Sequence, residues 1–140
     1  MTAEEPGPVG SGAMTEQTSV LVVDDEPQVV WMLRFSLEAA GYRVFSAREG
    51  REALDGVREH HPDLMLLDIM MPVMDGWAVL QHLQELHEDE RPKVVVLSAR
   101  TGLRDRAKAA ELGADAFVPK PFNVDDLLEV MGGLEERAGG

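Results

Sequence analysis

Short apolar runs that each end on a polar side chain constrain this chain more than any other feature. Val20-Leu21-Val22-Val23 stops on Asp24 and Asp25, and Leu64-Met65-Leu66-Leu67 stops on Asp68. Val94-Val95-Val96-Leu97 stops on Ser98, and Ala116-Phe117-Val118 leads to Lys120. Runs of this length read as strands buried on both faces. The stretches between them carry helical periodicity, so strand and helix alternate five times. The pattern predicts strands near 20–24, 42–46, 63–68, 94–98 and 115–118, and helices near 27–40, 48–59, 76–88, 103–112 and 123–131. Val30, Leu33 and Leu37 share one face of the first helix, and Gly41 suits its C-terminal cap, as Gly113 does after Leu112. Leu80, Leu83 and Leu86 give the third helix an apolar stripe behind the turn signal Asp75-Gly76.

Alternation with short links implies an α/β fold with a parallel sheet covered on both faces. Right-handed crossovers leave few topologies. The expectation is a doubly wound, five-stranded parallel sheet of order 2-1-3-4-5 with five helices. Its site lies at the carboxyl ends of the strands, near the switch point between strands 1 and 3. Three carboxylates, one hydroxyl and one amine then converge on one edge, which is a place for a divalent cation and a phosphoryl group. Two carboxylates ~4 Å apart repel by about 4 kcal/mol at an effective dielectric of about 20. Such a site binds a cation or raises a carboxyl pKa. With oxygen ligands and no Cys or His in the set, the ion expected is Mg²⁺, with Mn²⁺ as the alternative.

The net charge of −13 argues against direct nucleic-acid binding, which needs a basic face. The absence of cysteine excludes disulfides and thiol catalysis and fits a reducing, cytoplasmic setting. No apolar stretch approaches the ~20 residues that span a bilayer, so no membrane insertion is expected. No basic segment followed by an apolar one opens the chain. Residues 1–18 read as a disordered leader, with Met14 a possible natural start, and residues 19–131 as one domain. Residues 132–140 read as a tail, either a frayed helix end or the start of a linker.

Four segments stand in a distinctive order and spacing: Val22-Val23-Asp24-Asp25-Glu26, Leu66-Leu67-Asp68 through Pro72 to Asp75-Gly76, Leu97-Ser98-Ala99, and Gly113 through Phe117 to Lys120-Pro121-Phe122. They resemble the receiver domain of two-component response regulators, the CheY-like family, over roughly residues 19–131. The resemblance implies that Asp68 is the phosphoacceptor. It implies that Asp25 holds Mg²⁺ directly and Asp24 largely through water, with Asp68 and the backbone carbonyl of Met70 as further ligands. Ser98 takes the switch-hydroxyl position, Phe117 the switch-aromatic position and Lys120 that of the active-site lysine. The Ala99 amide becomes a donor to the phosphoryl group, and Lys120-Pro121 carries a cis peptide. The implied donor is a sensor histidine kinase or a histidine phosphotransfer protein. The implied output is a downstream protein target reached through the helix 4–strand 5–helix 5 face, which is also a candidate homodimer interface on phosphorylation. Any catalysis is limited to the domain's own phosphorylation and dephosphorylation. Ser98 departs from the commoner Thr. Met70 and Arg100 occupy positions that tune hydrolysis in the family, and their bulk and charge imply a slow reset. Pro119 removes a backbone donor, which a sheet edge tolerates.

Plainer readings stand beside these. Asp24 and Asp25 suit a helix N-cap, Asp68 a turn, Ser98 a cap, Lys120 a surface position and Phe117 a half-buried core position. Trp31 and Trp77 read as packing residues. His60, His61, His82 and His87 lack the i, i+4 spacing of a helical ligand pair. Arg100, Arg104, Arg106 and Lys108 read as a solvated helix face, or as a docking patch for an acidic partner. Two rival functions remain. One is a phosphorylation-independent, receiver-like binding module. The other is a flavodoxin-type FMN binder, which Asp24-Asp25-Glu26-Pro27 disfavours where a phosphate loop belongs.

Overall fold

The computed structural model describes residues 17–71 and 74–139. Most of the predicted leader, and Pro72-Val73, lie outside the described residues. The strands are β1 (Ser19–Val23), β2 (Arg43–Ala47), β3 (Leu64–Asp68), β4 (Lys93–Ser98) and β5 (Ala116–Pro119). The helices are α1 (Pro27–Ala39), α2 (Gly50–His60), α3 (Gly76–Leu83), α4 (Leu103–Glu111) and α5 (Val124–Gly139). All strand pairs are parallel, in the order β2-β1-β3-β4-β5, as the alternation predicts.

Every residue of β1 and β3 is buried, because these central strands are covered on both faces. Successive side chains feed two cores. Leu21, Val23, Met65, Leu67, Val94 and Val96 pack with α2, α3 and Ala109 of α4. Val20, Val22, Leu64, Leu66, Val95 and Leu97 pack with Leu33 and Leu37 of α1 and Leu127, Met131 and Leu134 of α5. Each fully buried Leu contributes about 1.5–3 kcal/mol relative to exposure.

Local chemistry fixes the ends that frame the site. Pro27 opens α1 with its dihedral preset and no orphan N–H. Gly41 and Gly113 follow α1 and α4 at φ +101 and +98, the left-handed conformation that closes a helix. A Cβ on Gly76 would lie 2.7 Å from the Ile69 backbone, so only glycine lets α3 start against the loop that follows Asp68. The Asp75 carboxylate caps that start by accepting from the Ala78 amide at 3.1 Å.

Three expectations need correcting. First, α3 stops at Leu83 rather than near 88, and a 3₁₀ turn follows at Glu88–Glu90. The Arg91 guanidinium donates to the carbonyls of Leu86 (3.0 Å) and Gln84 (3.2 Å), so the unwound segment needs no further helical turn to satisfy them. Second, α5 runs to Gly139 rather than ending near 131. Leu127, Met131 and Leu134 form one buried stripe at i, i+4 and i+7, which carries the helix across Gly132-Gly133. Third, Trp31 is not a packing residue. It is 71% exposed and lies against the exposed Phe35, ring centroids 5.8 Å apart. Leu33 and Leu37 take the buried face, and a position two residues from Leu33 points away from it.

Candidate functional site

The register levels the strand ends: Val23 pairs with Leu67, Asp68 with Leu97, and Ser98 with Pro119. Asp24, Asp25, Asp68, Ser98 and Lys120 therefore meet at the carboxyl edge, where the sheet order reverses between β1 and β3. Asp24 is fully buried, Asp68 4% exposed and Ser98 2% exposed. One carboxylate oxygen from each of Asp24, Asp25 and Asp68 lies within 4.8 Å of the others. Among the described residues this is the one cluster of three or more potential metal ligands.

Lys120 binds the cluster together. Its Nζ lies 3.2 Å from Asp24 Oδ2 and 3.6 Å from Asp68 Oδ1. The Lys120 amide donates to the Ser98 carbonyl at 2.8 Å, and the Lys120–Pro121 peptide is cis. Asp24 Oδ1 accepts from the Glu26 amide at 2.9 Å, and Asp68 Oδ1 accepts from the Met70 amide at 3.1 Å. Asp68 Oδ2 makes no hydrogen bond among the described residues. Burial pushes the Asp68 carboxyl above the ordinary range, and Asp24 and Asp25 push the same way, against Lys120 and the Met70 N–H. Burial also works against the Lys120 ammonium, but Asp24 and Asp68 outweigh it and its pKa is raised.

Ser98 Oγ accepts from the Arg100 amide at 3.0 Å, which leaves its own hydrogen available for donation. Phe117 is half-buried against the core on the α4 side. The Arg106 guanidinium stands over its ring, 4.8 Å from the centroid. Lys108 caps Trp77 in the same way at 4.5 Å, and Arg100 pairs with Asp105 at 3.6 Å. Three of the four cations read as a solvated face or docking patch thus have partners within the chain. The sequence marks Arg106 and Lys108 as members of a basic cluster but not their pairing with rings, because Phe117 and Trp77 come from β5 and α3. His60 stacks on Phe45, ring centroids 3.9 Å apart, and Trp77, half-buried, packs against the core as a packing residue should.

A doubly wound α/β fold with three clustered carboxylates and a lysine at its switch point defines the class. The family model for the response regulator receiver domain matches residues 20–131, and the chain belongs to that family. It is 44% identical over 111 residues to the transcriptional regulatory protein KdpE of Mycobacterium tuberculosis (strain ATCC 25618 / H37Rv), covering 79% of this chain and 48% of the relative. It is 42% identical over 118 residues to the response regulator MprA of Mycolicibacterium vanbaalenii, covering 84% and 50%. The chain spans about half the length of these curated relatives. Its fold resembles the chemotaxis protein CheY4 of Vibrio cholerae with a TM-score of 0.80 at 28% identity, covering 85% of this chain and 99% of that one. A BeF3-activated DrrB receiver domain superposes with a TM-score of 0.77 at 26% identity, covering 86% and 99%. The flavin-binding alternative falls with the family assignment. No helix among the described residues is long and apolar enough to cross a membrane.

Proposed function

We propose that this receiver domain takes a phosphoryl group on Asp68 from the phosphohistidine of a sensor kinase or histidine phosphotransfer protein in the cytoplasm. Two observations carry the reading: Asp68 Oδ2 has no hydrogen-bond partner among the described residues, and Lys120 Nζ reaches Asp24 Oδ2 and the other Asp68 oxygen, Oδ1. The residues also fit Mg²⁺. Three carboxylate oxygens lie close enough to share one hard cation, and among the described residues the fully buried Asp24 has Lys120 as its one cationic neighbour. Asp24, Asp25, Asp68 and the Met70 carbonyl are the proposed ligands. When bound, Mg²⁺ supplies positive charge beside the incoming phosphoryl oxygens.

In the proposed step an Asp68 oxygen bonds to phosphorus, the phosphorus–nitrogen bond breaks, and the imidazole leaves with its electron pair. The Lys120 ammonium faces the negative charge that both partners bring. The Ser98 hydroxyl and the Ala99 amide donate to the transferred group. Drawing Ser98 Oγ towards that group takes it from the Arg100 amide, so charge at Asp68 moves the loop before α4. The output is a protein partner that reads the α4–β5–α5 face, with a second copy of the chain as one candidate.

Incubation with acetyl phosphate and MgCl₂ tests the proposal. The expected result is one acid-stable, alkali-labile phosphoryl group in the wild type and none in Asp68→Asn. Equal labelling of Asp68→Asn overturns it, and labelling of the wild type that persists in EDTA overturns the metal assignment.

A further inference from the structure

We propose that Arg106 is a positioning residue that holds the Phe117 ring in its resting place and ties it to the loop between β4 and α4. The inference rests on the reading of Asp68 as acceptor and names how its signal is restrained. Val96 pairs with Phe117 and Ser98 with Pro119, and side chains two apart on a strand share a face. Ser98 and Phe117 therefore stand in one column on the side covered by α4. Arg106 touches the Phe117 end of that column and the loop that follows Ser98. Its guanidinium covers the Phe117 ring at 4.8 Å, and its Nε donates to the Thr101 carbonyl at 3.4 Å. Thr101 belongs to the loop whose Arg100 amide donates to Ser98 Oγ. The Arg100–Asp105 pair at 3.6 Å fastens the same loop to the first turn of α4.

The chain of contacts runs from Ser98 through Arg100 and Thr101 to Arg106 and on to Phe117. Moving the Ser98 hydroxyl towards Asp68 removes the acceptor of the Arg100 amide at one end. The shift of Thr101 then draws Arg106 off the ring at the other. A cation over an aromatic ring is a modest restraint at an exposed site, and Arg106 is exposed. The device therefore biases the resting state and does not lock it.

The test uses the full chain labelled with 4-fluorophenylalanine. The four phenylalanines give few resonances, and Phe117→Leu identifies the one at 117. Arg106→Gln keeps a good helix former on an exposed position, so the fold is retained. In the anion-free protein, Arg106→Gln is expected to shift the Phe117 resonance, and Arg106→Lys, which keeps a cation within reach of the ring, to restore most of it. Half-saturation by beryllofluoride with Mg²⁺ is expected at about two- to five-fold lower concentration in Arg106→Gln, the range an exposed cation–ring contact supplies. An unmoved Phe117 resonance, or an unchanged half-saturation, overturns the proposal while leaving the acceptor reading intact. A wild type that takes up no beryllofluoride, or takes it up equally with Asp68→Asn, overturns the acceptor reading and this proposal with it.

Discussion

The Lys120 ammonium stands between two buried carboxylates, 3.2 Å from Asp24 Oδ2 and 3.6 Å from Asp68 Oδ1. It comes from just beyond the last strand, whereas Asp24 follows the first and Asp68 ends the third. The contact therefore exists only in the finished sheet. Replacing Lys120 by Met leaves Asp24 buried without its counter-charge. Breaking a fully buried pair costs roughly 3–5 kcal/mol, and the partial exposure of Lys120 reduces this to about 1–3 kcal/mol. Urea denaturation in EDTA is expected to show that loss for Lys120→Met, together with slower labelling by acetyl phosphate. Wild-type stability in the variant would refute the counter-charge role.

Repulsion among Asp24, Asp25 and Asp68 is only partly offset by the Lys120 ammonium, which pairs with Asp24 and Asp68. Asp25→Asn is therefore expected to stabilise the metal-free protein by about 0.5–2 kcal/mol, since a like-charge neighbour is removed. The wild type should in turn gain about 2.7 kcal/mol at a Mg²⁺ concentration 100 times the dissociation constant, by mass action. The Asn variant should lose most of that gain. Thermal melts with and without MgCl₂ measure both effects, and an equal Mg²⁺ response in the two proteins would exclude Asp25 as a ligand.

The raised pKa of Asp68 has a definite sign in the stability curve. In this pH window the folded state binds more protons than the unfolded state, so stability falls as pH rises. The contribution is complete below the ordinary carboxyl value of about 3.9 and is lost as pH climbs through the raised folded value. Urea midpoints in EDTA, followed from pH 4 to neutrality, are expected to fall for the wild type relative to Asp68→Asn. Parallel curves would show that burial does not govern the ionisation of this group.

The strands were legible because uninterrupted apolar runs have few other folded fates, and their polar ends marked the site before any distance was known. The end of α3 was not legible. It depends on the Arg91 guanidinium satisfying the Leu86 and Gln84 carbonyls, and nothing in the local pattern announces that. Gly132-Gly133 hid the last turns of α5, since each glycine costs about 1 kcal/mol in a helix interior. Burial of Leu134 offsets that cost, but the core cluster it joins draws on α1 and the sheet, far from it in sequence. Trp31 was misplaced because aromatic rings usually pack, while its register on α1 faced solvent. In the site, the strand ends bring Asp24, Asp25, Asp68, Ser98 and Lys120 to one edge, and only the resemblance gives each of them a role. The cover over Phe117 could not, because Arg106 meets it across two elements.

The extension of α5 rests on one polar contact as well as on Leu134. The Tyr42 hydroxyl donates to Glu135 Oε2 at 2.8 Å, joining the start of β2 to the end of the helix. Burial pushes the phenol pKa well above its ordinary value of 10, and the hydrogen bond and negative charge of Glu135 push it further. Tyr42 is the single tyrosine, so its phenolate absorbance can be read without overlap. The titration is expected to begin well above pH 10 in the wild type and to move down in Glu135→Gln. Because the folded pKa is raised, the stability this group contributes is present below pH 10 and is lost as pH rises beyond it. Tyr42→Phe is expected to cost about 1.5 kcal/mol near neutrality, the low end for a hydrogen bond to a charged group because the contact is partly solvated. Hydrogen exchange should quicken for amides after Gly133 and leave those of β3 unchanged. Uniform quickening across the sheet would instead mean that Tyr42 supports the whole core.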